Sequence, residues 1–441
     1  MQRFNWSELD DGARKAALTR PAAISDTKLM SSVSDIMARV KDVGDAALLD
    51  YTERFDGVRP TALRIDIADM KAAWEALPDL DKAAIDRAKS NIEVFHAAQI
   101  PTNISVETET GVFCRRESRA IETVGLYVPG GTAPLVSTVL MLTVPAKIAG
   151  VPNRILITPP AKNGAINKTV LAAAYRCDVS ALFVGGGAQA IAALTYGTKS
   201  IPKCDKIFGP GNAWVAAAKS QAAQVMGGPA IDMPAGPSEA MVLCDEKANA
   251  DFVASDLLSQ AEHDTVAQVI CVASSEDIAS KVQKSIETQL AELPRKEIAA
   301  QSLKFGRMII ATRGEMPAII NQYAPEHLIV QMEDADSLVP KIRNAGSIFL
   351  GQWTPESVGD YASGTNHTLP TYGAARAYSG VTLESFLKYV SVQKLTANGL
   401  RNLGPTVERL AQMEGLTAHE RAVSLRLANL RNAPAKMKDL S

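Results

Sequence analysis

Helical spacing dominates the first part of the chain. Between residues 31 and 98, apolar residues recur at intervals of three and four in SDIMARVKDVGDAALLDYTERF and DKAAIDRAKSNIEVFHAAQ. This is the spacing of one face of an amphipathic α-helix. The preceding residues form a more polar stretch that ends in a turn. We therefore expect an N-terminal arm over residues 1–30 and a helical segment over residues 31–120 that packs on the rest of the protein.

Short apolar runs alternate with helical stretches farther along the chain. VGLYV, RILIT, ALFV and KIFG are each followed by a loop and a helix. After the Pro- and Gly-rich AIDMPAGPSEAMVL, a second series follows with AMVLC, AQVICVAS, RMIIAT, HLIVQ and GSIFL. This alternation predicts an α/β fold with parallel sheets. We expect two domains of similar size, over residues 121–235 and 236–375.

The last part of the chain has a different pattern. Past about residue 376 a strand, VSVQKL, is followed by two helices around 403–413 and 417–432. This predicts a small C-terminal tail domain over residues 376–441.

Composition excludes several classes of protein. The chain has 46 Lys and Arg against 48 Asp and Glu and no long basic run, so we expect no nucleic-acid surface. No apolar run is long enough to span a membrane. The start, MQRFNWSELDD, lacks the regions of a signal peptide. The 5 cysteines are scattered without a CxxC pair, which favours free thiols and a reduced, cytoplasmic protein.

Glycine-rich loops follow several of the predicted strands. Gly185, Gly187 and Ala190 match the G-x-G-x-x-A dinucleotide fingerprint between a strand and a helix, but no ribose-binding acid is clear about 20 residues later. PGNAW and VPGGTAP also place glycines at strand ends. Each loop alone is explained by a tight turn. Together, at the carboxyl ends of successive strands, they favour a crevice for a nucleotide or phosphate.

Four of the 5 histidines lie in polar motifs at element boundaries, each near a carboxylate or carboxamide. The pairs are Glu326 and His327 in APEHL, Gln260 and His263 in SQAEH, Asp360 and His367 in ESVGDYASGTNHTLPT, and Glu414 and His419 in EGLTAHERAV. Such residues can bind a metal such as zinc. Each motif alone also has a simpler explanation, such as a surface loop, an exposed helix end or a capping box formed by Thr417 and Glu420. One site that gathers these residues explains all four motifs.

The chain resembles the histidinol dehydrogenase family over essentially its full length. The motifs that carry the resemblance are GLYVPGG, STVLMLTVPAKIAG, FVGGGAQAIAAL, DKIFGPGNAWV, IDMPAGPSE, FVASDLLSQAEH, APEHL, ESVGDYASGTNHTLPT and EGLTAHERAV. The resemblance implies two incomplete Rossmann-like parallel-sheet domains. It also implies oxidation of L-histidinol through L-histidinal to L-histidine, with two NAD+ and one Zn2+ per subunit.

The resemblance also implies roles for individual residues. The expected zinc ligands, which also contact the substrate, are Gln260, His263, Asp360 and His419. The residues expected to hold or orient the substrate with them are Ser238, His327, His367 and Glu414. Glu326 and His327 resemble the catalytic acid–base pair. The expected NAD+ contacts are Tyr127, Gln189 and Asn212, although the fingerprint at this site is degenerate.

The family is a homodimer whose C-terminal tail reaches the neighbouring subunit, so the resemblance implies that Glu414 and His419 complete the neighbouring site. Two other functions remain open. A dehydrogenase of the same fold that acts on another polar alcohol, similar to sulfopropanediol dehydrogenases, would share the zinc and the Glu-His pair. A zinc hydrolase with Glu326 as its base would have no use for the glycine-rich strand ends.

Overall fold

Two compact units make up the part of the chain that the computed structural model describes, which is residues 1–21, 27–130, 135–234 and 236–432. The larger unit consists of Met1–Gln99 and Ile121–Phe386. The smaller unit combines Ile100–Ala120 with the chain from Leu387 onward.

Strands and helices alternate along most of the larger unit. In chain order the strands are β1 (Gln2–Asn5), β2 (Arg64–Ile65), β3 (Ile104–Glu109), β4 (Val112–Ala120), β5 (Thr123–Tyr127), β6 (Asn153–Thr158), β7 (Ala181–Val184), β8 (Lys206–Phe208), β9 (Ala230–Ile231), β10 (Glu239–Cys244), β11 (Gln268–Ala273), β12 (Arg307–Ile310), β13 (His327–Gln331), β14 (Ser347–Leu350) and β15 (Leu387–Leu395). The helices are α1 (Asp11–Ala17), α2 (Thr27–Val43), α3 (Asp45–Asp56), α4 (Ile67–Glu75), α5 (Asp79–Ala97), α6 (Val136–Ile148), α7 (Lys168–Arg176), α8 (Gly187–Tyr196), α9 (Ala213–Ala222), α10 (Ala250–Ala261), α11 (Glu276–Glu292), α12 (Lys296–Ser302), α13 (Met316–Tyr323), α14 (Glu356–Tyr361), α15 (Ala397–Met413) and α16 (Thr417–Asn432).

The larger unit contains two six-stranded sheets with the same internal order. The first sheet runs β2-β7-β6-β5-β8-β9 and the second runs β1-β12-β11-β10-β13-β14. All pairs in the second sheet are parallel, and in the first only the short edge strand β2 is antiparallel to its neighbour. Strands β10, β11 and β13 are buried along their whole length, as expected for parallel strands covered on both faces.

In each sheet the direction of the strand order reverses beside the first strand of the series. The reversal lies between β5 and β8 in the first sheet and between β10 and β13 in the second. Reversal points of this kind open a crevice, and in open α/β sheets ligands bind there at the carboxyl ends of the strands. The shared order also supports the internal duplication of structure that the two series in the sequence indicate.

The smaller unit is an antiparallel sheet with a helical hairpin. The sheet has the order β15-β4-β3, and α15 and α16 pack on each other. Gly404 allows this close packing, because a Cβ there would lie 2.9 Å from a methyl of Leu427. Thr396 caps α15 by accepting from the backbone N–H of Gly399.

The predicted α/β fold class with parallel sheets is confirmed, and three details differ from the predicted pattern. The N-terminal arm supplies β1, which pairs with β12, and residues 104–120 form two strands. The helix expected near 334–344 is a 3-10 helix, Ala335–Lys341. It contains Pro340, which has no N–H for an α-helical hydrogen bond.

The predicted division into domains stays a prediction. Several residues that it or the motifs include lie outside the described residues, namely Gly131, Ala235 and residues 433–441. No described helix is both long and apolar enough to cross a membrane.

A buried ion pair fixes the loop that follows β8. The side chains of Lys219 and Asp232 form this pair, with only 2% and 1% of their surface exposed. Lys219 Nζ donates to the carbonyl of Gly209 at 2.8 Å, and Asp232 accepts from the Gly209 N–H at 2.8 Å. Gly209 has φ 122°, and a Cβ there would lie 2.0 Å from the carbonyl oxygen of Tyr127. The pair therefore holds a backbone position that only glycine can occupy.

Breaking this pair is expected to destabilise the fold. Lys219→Met leaves the Asp232 carboxylate buried without its cation, which should cost about 3–5 kcal/mol and lower the urea midpoint of unfolding. Adding Asp232→Asn should recover part of the loss. The exposed Lys203 serves as the control position, where Lys→Met should have little effect. A Lys219→Met protein that unfolds at the parent's urea concentration would contradict this account.

Candidate active site

Glu326 and His327 lie at the amino end of β13, at the point where the second sheet reverses. Helix α13 ends at Tyr323, and Ala324 takes a left-handed conformation with φ 56° that turns the chain into the strand. Only 5% of Glu326 and 3% of His327 are exposed. The pair is therefore held on a buried strand end, and the surface loop considered from the sequence alone is ruled out.

The backbone of Glu239, at the start of β10, contacts both members of the pair. Its N–H donates to Glu326 Oε2 at 2.8 Å, and its carbonyl oxygen lies 3.2 Å from His327 Nδ1. A carbonyl oxygen can only accept, so Nδ1 carries the proton in this contact. The hydrogen bond thereby leaves Nε2 as the ring nitrogen that faces the site.

Two carboxylates on α14 face the other side of His327. Glu356 and Asp360 are four residues apart and share one face of the helix. Asp360 Oδ1 lies 3.4 Å from His327 Nε2. One ligand atom each from His327, Glu356 and Asp360 lie within 4.8 Å of one another. Gln260, oriented so that its amide atoms are both bonded, donates to Glu356 and accepts from the Glu239 N–H at 3.2 Å.

Burial and mutual charge shift the acidities of this cluster. Burial raises the pKa of Glu326 to about 8 and that of Glu356 to about 8. Burial disfavours the charged form of His327, but the surrounding carboxylates outweigh it and hold its pKa well above the usual value. Burial also opposes ionisation of Asp360, but His327 lowers the pKa of that carboxyl below its ordinary value. Such a concentration of perturbed groups is typical of a functional site.

Several polar atoms in the cluster are buried without a hydrogen-bond partner among the described residues. They are His327 Nε2, Glu356 Oε2, Asp360 Oδ1 and His367 Nε2. Buried polar atoms are rarely left unbonded in folded proteins. Imidazole nitrogens and carboxylate oxygens at this spacing fit a divalent cation such as zinc, which would satisfy them.

The other expected residues of the larger unit lie on neighbouring elements. Ser238 immediately precedes β10 and is partly buried. His263 follows α10, is exposed, and interacts electrostatically with Asp360 and His327. His367 is partly buried, and burial lowers its pKa while Asp360 opposes that change. These electrostatic contacts bring His263 and His367 to the Asp360 cluster.

Glu414 and His419 belong to the smaller unit. Glu414 ends α15 and His419 lies in the first turn of α16, and both are exposed. Their part in the site therefore stays a prediction.

A cavity of about 1000 Å³ lies at the carboxyl edge of the first sheet. Its walls include residues from the ends of β5 and β6 and from the loops after β7 and β8, and the three expected cofactor contacts, Tyr127, Gln189 and Asn212, are among them. Tyr127 is buried and its hydroxyl accepts from the Gly187 N–H at 3.2 Å. Burial raises the Tyr127 pKa to about 12, so the hydroxyl stays protonated. Asn212 caps α9 and is exposed.

The cysteines lie apart from this chemistry. All five are free. Burial raises the pKa of Cys177 and of Cys204 to about 12, which leaves both thiols protonated and inert. Cys244 and Cys271 are buried on adjacent strands with their sulfurs 3.7 Å apart.

Comparison with known proteins decides the family. Residues 19–427 match the family described as histidinol dehydrogenase. A histidinol dehydrogenase of Vibrio parahaemolyticus serotype O3:K6 is 49% identical over 431 residues, which is 98% of this chain and 99% of that protein. One from Salmonella choleraesuis is 50% identical over 429 residues, covering 97% of this chain and 98% of that protein. The chain belongs to the histidinol dehydrogenase family.

A solved structure agrees with this assignment. The crystal structure of histidinol dehydrogenase from Elizabethkingia anophelis superposes with a TM-score of 0.93 at 46% identity, covering 98% of this chain and 99% of that one. The family resemblance inferred from the motifs is thus confirmed. Membership in the histidinol dehydrogenase family makes the chain an oxidoreductase of histidine biosynthesis.

The site contains two residues that the sequence reasoning missed. Glu356 lies four positions before Asp360 in ESVGDY, and this helical spacing could have indicated it. Glu239 follows Ser238 in AGPSE, but it acts through its backbone, which no side-chain motif reveals.

Proposed function

We propose that the chain oxidises L-histidinol to L-histidinal and then to L-histidine, with two NAD+ and one Zn2+ per subunit. The observation that carries the proposal is the buried Glu326–His327 pair beside partnerless oxygen and nitrogen atoms of Glu356, Asp360 and His327. Membership in the histidinol dehydrogenase family supplies the substrate class.

The residues proposed to hold the metal are Gln260, His263 and Asp360 together with His419 of the tail, and Glu356 adds a further carboxylate beside them. Ser238, His367 and Glu414 would hold or orient the substrate. The cavity of the first sheet would take NAD+, with Tyr127, Gln189 and Asn212 in its walls. The chemistry supplied by the bound groups is hydride acceptance by NAD+ and fixation of the substrate's imidazole and amine by Zn2+.

His327 is proposed to take the proton of the substrate hydroxyl in the first oxidation. Its Nδ1 is anchored on the Glu239 carbonyl, so Nε2 is the free ring atom that receives the proton. The same nitrogen would accept the proton of the aldehyde hydrate in the second oxidation. The buried position of the imidazole excludes competing water from this nitrogen.

Glu326 is proposed to activate the water that adds to the aldehyde. A pKa of about 8 makes its carboxylate a stronger base than an ordinary glutamate. A general base works best when its pKa lies near the operating pH. Two proton acceptors side by side thus match a reaction that draws protons from an alcohol or hydrate and from water.

Homodimerisation is part of the proposal. The smaller unit exposes many apolar side chains, which include Ile104, Val106, Tyr389, Val390, Leu395, Val407, Leu410, Met413, Leu416 and Leu425. Apolar surface of this extent favours burial against another chain. A second subunit that covers it would allow exposed Glu414 and His419 to complete the neighbouring site. The predicted cytoplasmic location stays a prediction.

The reaction stoichiometry tests the proposed function. The protein should form two NADH per L-histidinol, lose this activity on chelation, and regain it when zinc is added. Absence of NADH from histidinol with zinc bound would overturn the proposal. Oxidation of sulfopropanediol instead would favour the related alcohol dehydrogenase, and ester hydrolysis without NAD+ binding would favour the zinc hydrolase.

Variants of the pair test the division of roles. His327→Asn should slow NADH formation from histidinol and from histidinal, each by about 10²–10⁴-fold, because one base serves both oxidations. Glu326→Gln should slow the reaction of histidinal more than that of histidinol. Single-turnover NADH formation from each substrate measures the two steps separately. The exposed Glu333 provides a matched Glu→Gln control.

Equal losses from both substrates in Glu326→Gln would remove water activation from that residue.

A further inference from the structure

Arg20, near the end of the N-terminal arm, lies behind the acid–base pair. Its guanidinium stacks on the ring of Tyr323, with 3.9 Å between the guanidinium carbon and the ring centroid. Only 15% of its side chain is exposed. An arginine this far buried is held in one orientation and can fix the groups that it contacts.

One set of Arg20 contacts fixes the start of β10. Its Nη2 donates to Glu239 Oε2 at 2.9 Å, and its Nε donates to the other carboxylate oxygen, which makes a two-point ion pair. Glu239 Oε1 also accepts from the N–H of Tyr372 at 2.9 Å. The Glu239 side chain is only 2% exposed, so its orientation depends on these bonds.

A second set of contacts fixes the turn that precedes the pair. Arg20 Nη2 donates to the carbonyl of Tyr323 at 2.8 Å and to that of Ala324 at 3.3 Å. These two carbonyls end α13, one peptide before Pro325 and Glu326. One guanidinium therefore joins the turn before Glu326 to the strand end that contacts Glu326 and His327.

We propose that Arg20 is a positioning residue that aligns Glu326 and His327 through Glu239. The Glu239 backbone donates to Glu326 and accepts from His327 Nδ1, so a rotation of this residue would displace both proton acceptors together. The inference rests on the proposed function, because it assigns a task to groups that are proposed to be catalytic. Arg20 itself contacts neither of their side chains through any described bond.

Lysine cannot reproduce this arrangement. The planar guanidinium makes two parallel bonds to a carboxylate while it stacks on an aromatic ring, whereas an ammonium is a single point of charge. Arg20→Lys should therefore keep the charge and lose the alignment.

The test compares Arg20→Ala and Arg20→Lys with Arg14→Ala. Arg14 is the matched control, because it belongs to the same segment, lies over Trp6 and bonds the Trp6 carbonyl without reaching Glu239. Both Arg20 variants should lose about 10–100-fold in kcat, since small misplacements of reacting groups carry such losses. Their KM for histidinol should change by less than about 3-fold.

Two further readouts separate alignment from general stability. Guanidinium ion at millimolar concentration, far below what unfolds proteins, should restore kcat in Arg20→Ala, whereas sodium chloride and urea should not. Hydrogen exchange should speed up in peptides that contain Glu239 and residues 324–327, and stay unchanged in the first sheet.

The outcomes distinguish the inference from the proposed function. A parent protein that forms no NADH from histidinol ends the proposed function before any variant is compared. An active parent with Arg20 variants of unchanged kcat overturns the inference alone. Loss of kcat without rescue by guanidinium, together with faster exchange throughout the larger unit, also overturns it, because that result describes a purely structural residue.

Discussion

The parallel pairing of β10 with β13 is the constraint on which the site depends. Its register places Ala240 opposite His327, so the backbone of Glu239 meets Glu326 and His327 at the amino edge of the second sheet. Both strands are fully buried, and neither can slip without exposing apolar residues. The geometry of two proton acceptors is thereby set by the core of the fold.

The two sheets share a strand order but use opposite edges. The cavity that would take a nucleotide follows the usual rule and lies at the carboxyl edge of the first sheet, where β5 and β8 diverge. The acid–base pair lies at the amino edge of the second sheet. A duplicated fold thus supplies two crevices of different chemistry, one mostly apolar with amide and hydroxyl groups, the other dense in carboxylates and imidazoles.

The cluster around His327 carries a cost in stability. Glu326 and Glu356 are carboxyls that burial makes harder to ionise, and buried atoms of Asp360 and His327 lack hydrogen bonds among the described residues. A core designed for stability alone would avoid such groups. Their presence together is explained by a function that uses charge in a place shielded from water.

Much of the fold and part of the site could be predicted from the sequence. Helix α6 and helix α16 begin and end at the residues that periodicity predicts, because apolar spacing is a local property. The strand β1 could not be predicted, since four residues with a mostly exposed pattern gain a partner only through the distant β12. Glu239 was missed for a similar reason, because a backbone group acquires a role only when tertiary structure places it.

The central claim is that a cation binds where the atoms of Asp360, Glu356 and His327 converge, beside the acid–base pair. Anomalous X-ray scattering at the zinc edge, from crystals grown with zinc and L-histidinol, tests it most directly. The account predicts one peak per subunit at about 2.0–2.2 Å from a carboxylate oxygen of Asp360. An active protein whose only zinc peak lies away from this cluster would contradict it.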